Sequence, residues 1–258
     1  MTETAVTVVV NDDGTRAALR LFHPKGNIVT ERMIAELSRA LEALTGSARL
    51  KLITIEGSGT DFSFGASVPE HAREHIGRVL PAMHGLIDRC LDAPAVTAAI
   101  VRGRCLGGGF ELALACDLIF AAEDAVLGLP EIALGVFPPA AAALLPERIG
   151  AARATRAILG GEARPAAEWR DLGAVECVAR ADELDTVVTG WFERYLAPRS
   201  AAALRYAAAA ARLGLRAHVR RTLPELERLY LKDLMATRDA VEGIAAFLEK
   251  RAPRWSDG

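Results

Sequence analysis

Two glutamates in strongly apolar surroundings, Glu111 and Glu131, are the clearest candidates for acid–base chemistry in this sequence. Glu111 follows three glycines at the start of an apolar helical segment, and Glu131 follows residues 127–130 in another largely apolar stretch. Burial raises the pKa of a carboxyl group from about 4.3 toward neutrality, where it can accept or release a proton. A single glutamate at a helix start more often complements the helix dipole. Two of them beside glycine or proline turns favour a paired acid–base site.

Two glycine-containing loops, residues 59–67 and 103–111, each follow a predicted strand and precede a predicted helix. Gly107, Gly108 and Gly109 let the backbone approach a ligand closely, and a helix start presents unpaired N–H groups. Both loops are therefore candidate anion-binding sites, although tight helix packing explains the glycines equally well. The spacing fits neither the G-x-G-x-x-G dinucleotide motif nor a P-loop.

A rival pattern, H-x-x-E-H at His71, Glu74 and His75, is typical of zinc hydrolases, in which two histidines one helical turn apart share the metal. The pattern is short, Arg73 would repel a dication, and no further ligand is nearby. A solvated helix face is the favoured interpretation, and we expect no metal site. Ser63 is not part of a G-x-S-x-G nucleophile elbow, which argues against a serine hydrolase.

The elements that must position these residues alternate between strand and helix in the first half of the chain. The pattern predicts a hairpin from residues 5–10 and 16–22, a helix from the N-cap Thr30 to Gly46, a strand at 50–55, a helix from Pro69 to about Cys90, a strand at 96–101, a helix at 110–116 and a strand at 118–121. This alternation favours an α/β fold.

Helical periodicity dominates after Glu131. The alanine-dense residues 201–211 predict a close-packed helix. Amphipathic stripes at 223–234 and 241–248 could fold back on the core or cover a neighbouring subunit, and the pattern does not separate these two options. We expect residues 1–195 to form the core and residues 196–258 a helical C-terminal region, without a sharp boundary.

The composition excludes several classes of protein. The chain has 258 residues, 51% of them apolar. Its 31 Lys and Arg nearly balance its 33 Asp and Glu, so the protein has no net positive charge that would attract nucleic acid or an anionic membrane. Four dispersed cysteines argue against a disulfide framework and a thiolate metal site, and favour a reducing cytoplasm. We expect neither a signal peptide nor a membrane span.

Together, the loops and glutamates resemble the crotonase, or enoyl-CoA hydratase/isomerase, superfamily over about residues 5 to 180. The resemblance is carried by Phe62-Ser63-Phe64-Gly65-Ala66, Gly107-Gly108-Gly109-Phe110-Glu111, Cys116-Asp117 and Pro130-Glu131. It implies a spiral of ββα turns with a helical C-terminal region that builds trimers or dimers of trimers. It also implies an acyl-CoA substrate, with coenzyme A as part of the substrate and no separate cofactor.

The resemblance further implies a role for each matching residue. The N–H groups of Ala66 and Gly108 would bind the thioester carbonyl oxygen as an oxyanion hole, while Glu111 and Glu131 would hold the attacking water. The substrate and CoA contacts implied are Lys25, Phe64, Ala66, Ser67, Val68, Gly107, Gly108, Pro130, Phe137 and Pro138. Because two close carboxyl groups titrate as a pair, the sequence does not decide which one starts protonated.

Departures from the common hydratase pattern narrow the implied reaction. Ser67 replaces the usual aspartate, and proline stands in place of glycine at residues 136–139. With residues 62–71, these features resemble the cyclohexa-1,5-diene-1-carbonyl-CoA hydratases of anaerobic aromatic degradation, which implies 1,4-addition of water. Phe137 and the prolines would shape a ring pocket, or form only a rigid turn. The alternatives are a hydratase or isomerase for a linear or other cyclic enoyl-CoA, a non-catalytic acyl-CoA-binding member and, remotely, the zinc hydrolase.

Overall fold

The computed structural model describes residues 4–258, which form two sheets covered by helices. The larger sheet has the strand order β1-β2-β3-β4-β6-β9, and the smaller has the order β5-β7-β8. The strands are β1 Val6–Val10, β2 Arg16–Leu21, β3 Leu52–Gly57, β4 Val96–Val101, β5 Arg104–Leu106, β6 Leu118–Ala122, β7 Val126–Gly128, β8 Ala163–Pro165 and β9 Cys177–Ala179. Only β1 with β2 and β7 with β8 pair antiparallel among these described strands.

Helices follow the strands and fill most of the second half. They are α1 Glu31–Ala43, α2 Arg73–Leu91, α3 Gly108–Ala115, α4 Pro139–Ile149, α5 Ala151–Gly160, α6 Ala166–Leu172, α7 Leu184–Tyr195, α8 Ala201–Ala211, α9 Leu213–Arg228 and α10 Arg238–Leu248. Short 3₁₀ turns span Val68–His71, Pro130–Leu134 and Leu234–Ala236, and a single π-helical turn spans Leu229–Asp233. Across residues 4–258, none of the helices has the length and apolarity needed to cross a bilayer.

The first half repeats a strand of the larger sheet, a short extended segment and a helix. Strand β4 leads into β5 and α3, while β3 leads into residues 62–66 and α2. Ser63 pairs with Cys105 of β5 in a parallel bridge, so residues 62–66 extend the smaller sheet. The main strands are largely buried and rich in Val, Ile, Leu and Ala, as expected for parallel strands with both faces covered. This repeat brings the loops that follow the strands to one side of the molecule.

The sequence-based elements agree with the structure in type and differ in detail. The hairpin, the helix capped by Thr30 and the strand at 96–101 are confirmed, and the predicted strand at 50–55 lies at Leu52–Gly57. The long second helix starts at Arg73 instead of Pro69, because Ala72 has extended backbone (ψ 148°) after a 3₁₀ turn. The short strands β5, β7, β8 and β9 were not predicted, since three residues carry no usable periodicity.

The C-terminal region is helical, as predicted, and folds back on its own chain. Helix α9 packs against α2 and α4, and α10 packs near the turn that contains Glu131. The alanine-dense segment is helix α8 with the predicted bounds. Leu204 packs against the core, but none of the residues of α8 is fully buried, so the helix is less closely packed within this chain than expected. The division at residues 195 and 196 stays a prediction.

An ion pair between buried Arg212 and half-buried Asp117 fixes the junction between α8 and α9. Arg212, which is 4% exposed, donates from Nε to Asp117 Oδ1 (2.7 Å) and from its two terminal nitrogens to the carbonyl oxygens of Ala93 and Ala95 (2.7 and 2.6 Å). One guanidinium group therefore joins the C-terminal helices to the loops before β4 and β6.

Replacing Arg212 by alanine is expected to lower the free energy of unfolding by about 3–5 kcal/mol, because it leaves buried acceptors and a carboxylate without their partner. Chemical denaturation of both proteins measures this difference. Arg153→Ala, at an exposed position on α5, is the matched control and should change stability by less than about 0.5 kcal/mol. Equal stability losses in the two variants would contradict this role for Arg212.

Candidate active site

The parallel pairing of β5 with β7 brings Gly107 next to Glu131. Leu106 and Gly128 are register partners at the ends of the two strands, and the Gly107 N–H donates to the Gly128 carbonyl oxygen (2.9 Å). Gly107 has φ 50° and ψ −127°, a conformation that side chains disfavour. A Cβ atom at Gly107 would lie 2.6 Å from Glu131 Oε1. The absence of a side chain at Gly107 therefore leaves space for the carboxyl group of Glu131.

The amide groups of Ala66 and Gly108 converge without being used by the fold. Val29 donates to the Gly65 carbonyl oxygen (2.9 Å) and accepts from the Ser67 N–H (3.1 Å), so the intervening Ala66 N–H faces away from this bridge. Gly108 begins α3, where N–H groups lack helical partners. A Cβ atom at Gly108 would lie 3.2 Å from the Ala66 nitrogen. Within residues 4–258, neither N–H has a hydrogen-bond acceptor, which leaves both free for an anionic oxygen.

Glu111 is held at the N-terminus of another helix. It lies in the first turn of α3 and is 6% exposed, and its Oε1 accepts a hydrogen bond from the Ala141 N–H of α4 (2.9 Å). Burial raises the pKa of Glu111, while hydrogen bonds from the N–H groups of Ala141 and Ala140 oppose the rise. The start of α4, at Pro139, thus stabilises the charged form of this carboxyl group.

Glu131 lacks this stabilisation. It lies in the 3₁₀ turn Pro130–Leu134, and its buried Oε2 has no hydrogen-bond partner among the described residues. Burial and then the negative charge of Glu111 raise the pKa of Glu131, and only a hydrogen bond from its own backbone N–H opposes the rise. The two carboxyl groups therefore form a coupled pair in which Glu131 is the better candidate to hold a proton.

Both glutamates face one narrow cavity of about 40 Å³, with the backbone of Ala66 and Gly108 on its wall. That volume admits water but is far below the roughly 300–1,000 Å³ of typical ligand pockets. Its other lining residues are Val29, Ile34, His71, Ile76, Val79, Leu80, Met83, Phe137, Pro138, Pro139 and Tyr230. The sequence-predicted Phe137 and Pro138 thus join the pair of acids in one place.

The remaining predicted contacts lie elsewhere. Lys25 and Phe64 line a separate open groove of about 540 Å³ that also includes residues 58–61. Ser67, Val68 and Pro130 line neither space, and Gly107 meets the site only through its contact with Glu131.

Sequence reasoning missed two polar side chains of the cavity, His71 and Tyr230. His71 was considered as a remote zinc ligand and, by preference, as part of a solvated helix face, but it lines the cavity instead. It ends a 3₁₀ turn before α2 begins, so His71 and His75 do not share a helix. Its Nδ1 lies 2.9 Å from the Ser67 carbonyl oxygen. Among residues 4–258, no group of three or more His, Cys, Asp or Glu side chains is arranged to hold a metal ion. Tyr230 is 99 positions from Glu131 and carries no local signal.

Comparison with known proteins places this geometry in a family. The family model described as enoyl-CoA hydratase/isomerase matches residues 14–258. The chain belongs to the enoyl-CoA hydratase/isomerase family. It is 42% identical over 245 residues to a cyclohexa-1,5-dienecarbonyl-CoA hydratase from Thauera aromatica, covering 95% of this chain and 94% of that protein. It is 33% identical to a probable enoyl-CoA hydratase from Bacillus subtilis, covering 93% and 94% of the two chains.

Solved structures of the enoyl-CoA hydratase/isomerase family confirm the fold. A crystal structure of an enoyl-CoA hydratase from Mycobacterium avium subsp. paratuberculosis matches with a TM-score of 0.86 and 28% identity, covering 98% of this chain and 99% of that one. The expected α/β fold of ββα turns is therefore confirmed, as is the resemblance on which it was based.

The acidic pair should make the enzyme less stable as pH rises. The folded-state pKa values of Glu111 and Glu131, about 7 and about 8, lie above the ordinary 4.5. The unfolded chain therefore loses these protons first, and the free energy of unfolding falls between about pH 4.5 and about pH 8. Glutamine does not titrate, so the double variant Glu111→Gln/Glu131→Gln should escape this loss. We expect the Tm difference between the double variant and the unsubstituted protein to increase by about 4 °C or more when the pH is raised from about 5 to about 8.5.

Differential scanning calorimetry across this pH range measures the effect. Glu74→Gln, at an exposed position on α2, is the control and should show a Tm difference that does not vary with pH. A pH-independent difference for the double variant would mean that the two carboxyl groups titrate normally.

Proposed function

We propose that this protein is a hydro-lyase that adds water to a conjugated acyl-CoA thioester, with cyclohexa-1,5-diene-1-carbonyl-CoA as the substrate. The observation that carries the proposal is the convergence of two buried carboxyl groups and two free backbone N–H groups on one cavity. The 42% identity to the Thauera aromatica hydratase supports the choice of the cyclic dienoyl thioester.

The two N–H groups are proposed to bind the thioester carbonyl oxygen. When the oxygen of water bonds to ring carbon C2, the electron pair moves toward this carbonyl oxygen and a dienolate forms. The amides of Ala66 and Gly108 are fixed before the reaction by the bridge to Val29 and by the start of α3. Each such donor typically contributes about 10²–10³ in rate.

The two carboxyl groups are proposed to divide the proton transfers. Glu111 is the base, because the N–H groups at the start of α4 stabilise its charged form, and it takes a proton from the attacking water. Glu131 is the acid and delivers its proton to ring carbon C5, at the far end of the dienolate. The remaining double bond joins C1 and C6, which gives 6-hydroxycyclohex-1-ene-1-carbonyl-CoA. No electrons enter or leave, so we propose no cofactor besides the coenzyme A of the substrate.

The surroundings of the acids are consistent with a ring as the reacting group. Phe137 and Pro138 form part of an apolar wall, and Pro139 at the same time begins α4, so the ring-pocket and rigid-turn interpretations of this segment are compatible. Because the cavity is small, its side chains must move apart when a ring enters. The groove lined by Lys25 and Phe64 is our proposed site for the CoA moiety.

The experiment that tests this proposal offers cyclohexa-1,5-diene-1-carbonyl-CoA and crotonyl-CoA to the purified protein and compares kcat/KM. Hydration of the dienoyl thioester in D2O should place deuterium on the carbon that was C5 of the ring. A preference for crotonyl-CoA would indicate a hydratase for linear enoyl-CoA. Deuterium at ring carbon C1 would show that water adds 1,2 instead of 1,4 and would contradict the proposed proton delivery to C5. Binding of both thioesters without turnover would indicate a non-catalytic member.

We also propose a homotrimer or a dimer of trimers in the cytoplasm. Large apolar side chains remain exposed on the C-terminal helices, among them Tyr206 (77%), Leu213 (60%) and Phe247 (53%), and a neighbouring subunit would cover them. The four cysteines are free thiols, which agrees with a reducing compartment. Sedimentation measurements would determine the oligomeric state.

A further inference from the structure

The C-terminal region contributes a polar group to the cavity through Tyr230. This residue lies in the π-helical turn Leu229–Asp233, directly after α9, and is 1% exposed. Its ring packs edge to face against Phe137 of the cavity wall, with ring centroids 5.4 Å apart. Isolated π-helical turns are rare and are frequently found at functional sites.

The hydroxyl group of Tyr230 is buried without a hydrogen-bond partner among residues 4–258. Tyr230 lines the same cavity as Glu131, whose Oε2 is also unpartnered. A buried hydroxyl normally has a partner, because leaving it unpaired costs about 1–3 kcal/mol. Burial, and then the charges of Glu131 and Glu111, raise the pKa of Tyr230, so the phenol keeps its proton and remains a donor.

Other donors to this part of the cavity are scarce. Pro138 and Pro139 have no N–H groups. The neutral ring of His71, whose pKa is lowered by burial, uses its Nδ1–H for the Ser67 carbonyl oxygen and presents at most an acceptor at Nε2. The N–H groups of Ala66 and Gly108 are assigned to the thioester oxygen. The phenol O–H is therefore the side-chain donor left for a second oxygen.

We infer that the Tyr230 hydroxyl donates a hydrogen bond to the reacting oxygen, first as the attacking water and then as the new hydroxyl group of the product. Tyr230 thereby orients the water between the two glutamates without transferring a proton itself. This inference rests on the proposed function, because it requires a hydration reaction in this cavity.

Tyr230→Phe tests the inference because it keeps the ring against Phe137 and removes only the hydroxyl group. We expect kcat for hydration to fall about 10-fold, as for the loss of one hydrogen bond, while KM changes by less than about 2-fold. The Tm should stay the same or rise, because an unpaired buried hydroxyl has been removed. Tyr195→Phe, at an exposed position at the end of α7, is the matched control and should match the unsubstituted protein.

A binding comparison separates hydrogen bonding from packing. Dissociation constants are measured for 6-hydroxycyclohex-1-ene-1-carbonyl-CoA and for cyclohex-1-ene-1-carbonyl-CoA, which lacks the hydroxyl group. Tyr230→Phe should weaken binding of the hydroxylated thioester about 5–10-fold and leave the other within about 2-fold. Equal weakening of both would show a packing role, and unchanged binding and kcat would show that the phenol does not contact this oxygen; either result overturns the inference. If the unsubstituted protein hydrates no enoyl-CoA, the proposed function itself is wrong and this inference falls with it.

Discussion

Replacing Glu111 or Glu131 by glutamine is expected to lower kcat for hydration by about 10²–10⁴ in each case, because glutamine can neither accept nor deliver the proton. Glutamine at position 111 still presents an oxygen to the Ala141 N–H, so the start of α4 should keep its hydrogen bond and the fold should be preserved. Steady-state kinetics with the preferred thioester measure kcat, and isothermal calorimetry with the product thioester measures binding, which should survive.

Glu74→Gln is the matched control for this pair of substitutions. Glu74 is exposed on α2, outside the cavity, so its replacement should leave kcat unchanged. The same control tests the zinc-hydrolase interpretation, in which Glu74 would be the general base. Near-normal turnover in both site variants would contradict the proposed acid–base pair, and loss of activity in Glu74→Gln would redirect attention to the other motif.

Replacing Gly107 by alanine should lower kcat/KM at least as much as the loss of one N–H donor to the thioester oxygen. A Cβ atom would lie 2.6 Å from Glu131 Oε1 and would push this carboxyl group out of place, while the backbone conformation itself becomes strained. Displacement of a reacting group by about 1 Å can cost about 10² in rate. Strain of this kind costs of order 1–3 kcal/mol, so a lower Tm should accompany the fall in kcat/KM.

Gly150→Ala separates backbone strain from displacement of the glutamate. Gly150 also has a positive φ (83°), but a Cβ atom there meets nothing within 4 Å. This variant should lose stability and keep its kcat/KM at temperatures where it is folded. Both variants are assayed under conditions where circular dichroism shows a folded protein. The prediction for Gly107→Ala fails if its kcat/KM then equals that of Gly150→Ala.

Local patterns were sufficient to predict much of the fold. The hairpin, the helix capped by Thr30, the buried strand at Val96–Val101 and the helical C-terminal region all have periodicity or capping that depends on neighbouring residues. The start of α2 and the three-residue strands β5, β7, β8 and β9 could not be predicted, because the extended backbone at Ala72 and the pairing of such short strands are set by distant neighbours. The helix α8 was identified correctly, but whether it is covered depends on partners outside its own sequence.

The sequence by itself determined the family, the two loops and the identity of the two glutamates, because these depend on residue types at fixed spacing along the chain. Only the tertiary structure decided that Glu111 accepts hydrogen bonds from α4 while Oε2 of Glu131 is unpartnered, and that Tyr230 joins them in the cavity. The physical reason is that burial, hydrogen bonding and charge act through space, and α4 and Tyr230 reach the site only when strands and helices distant in sequence pack together.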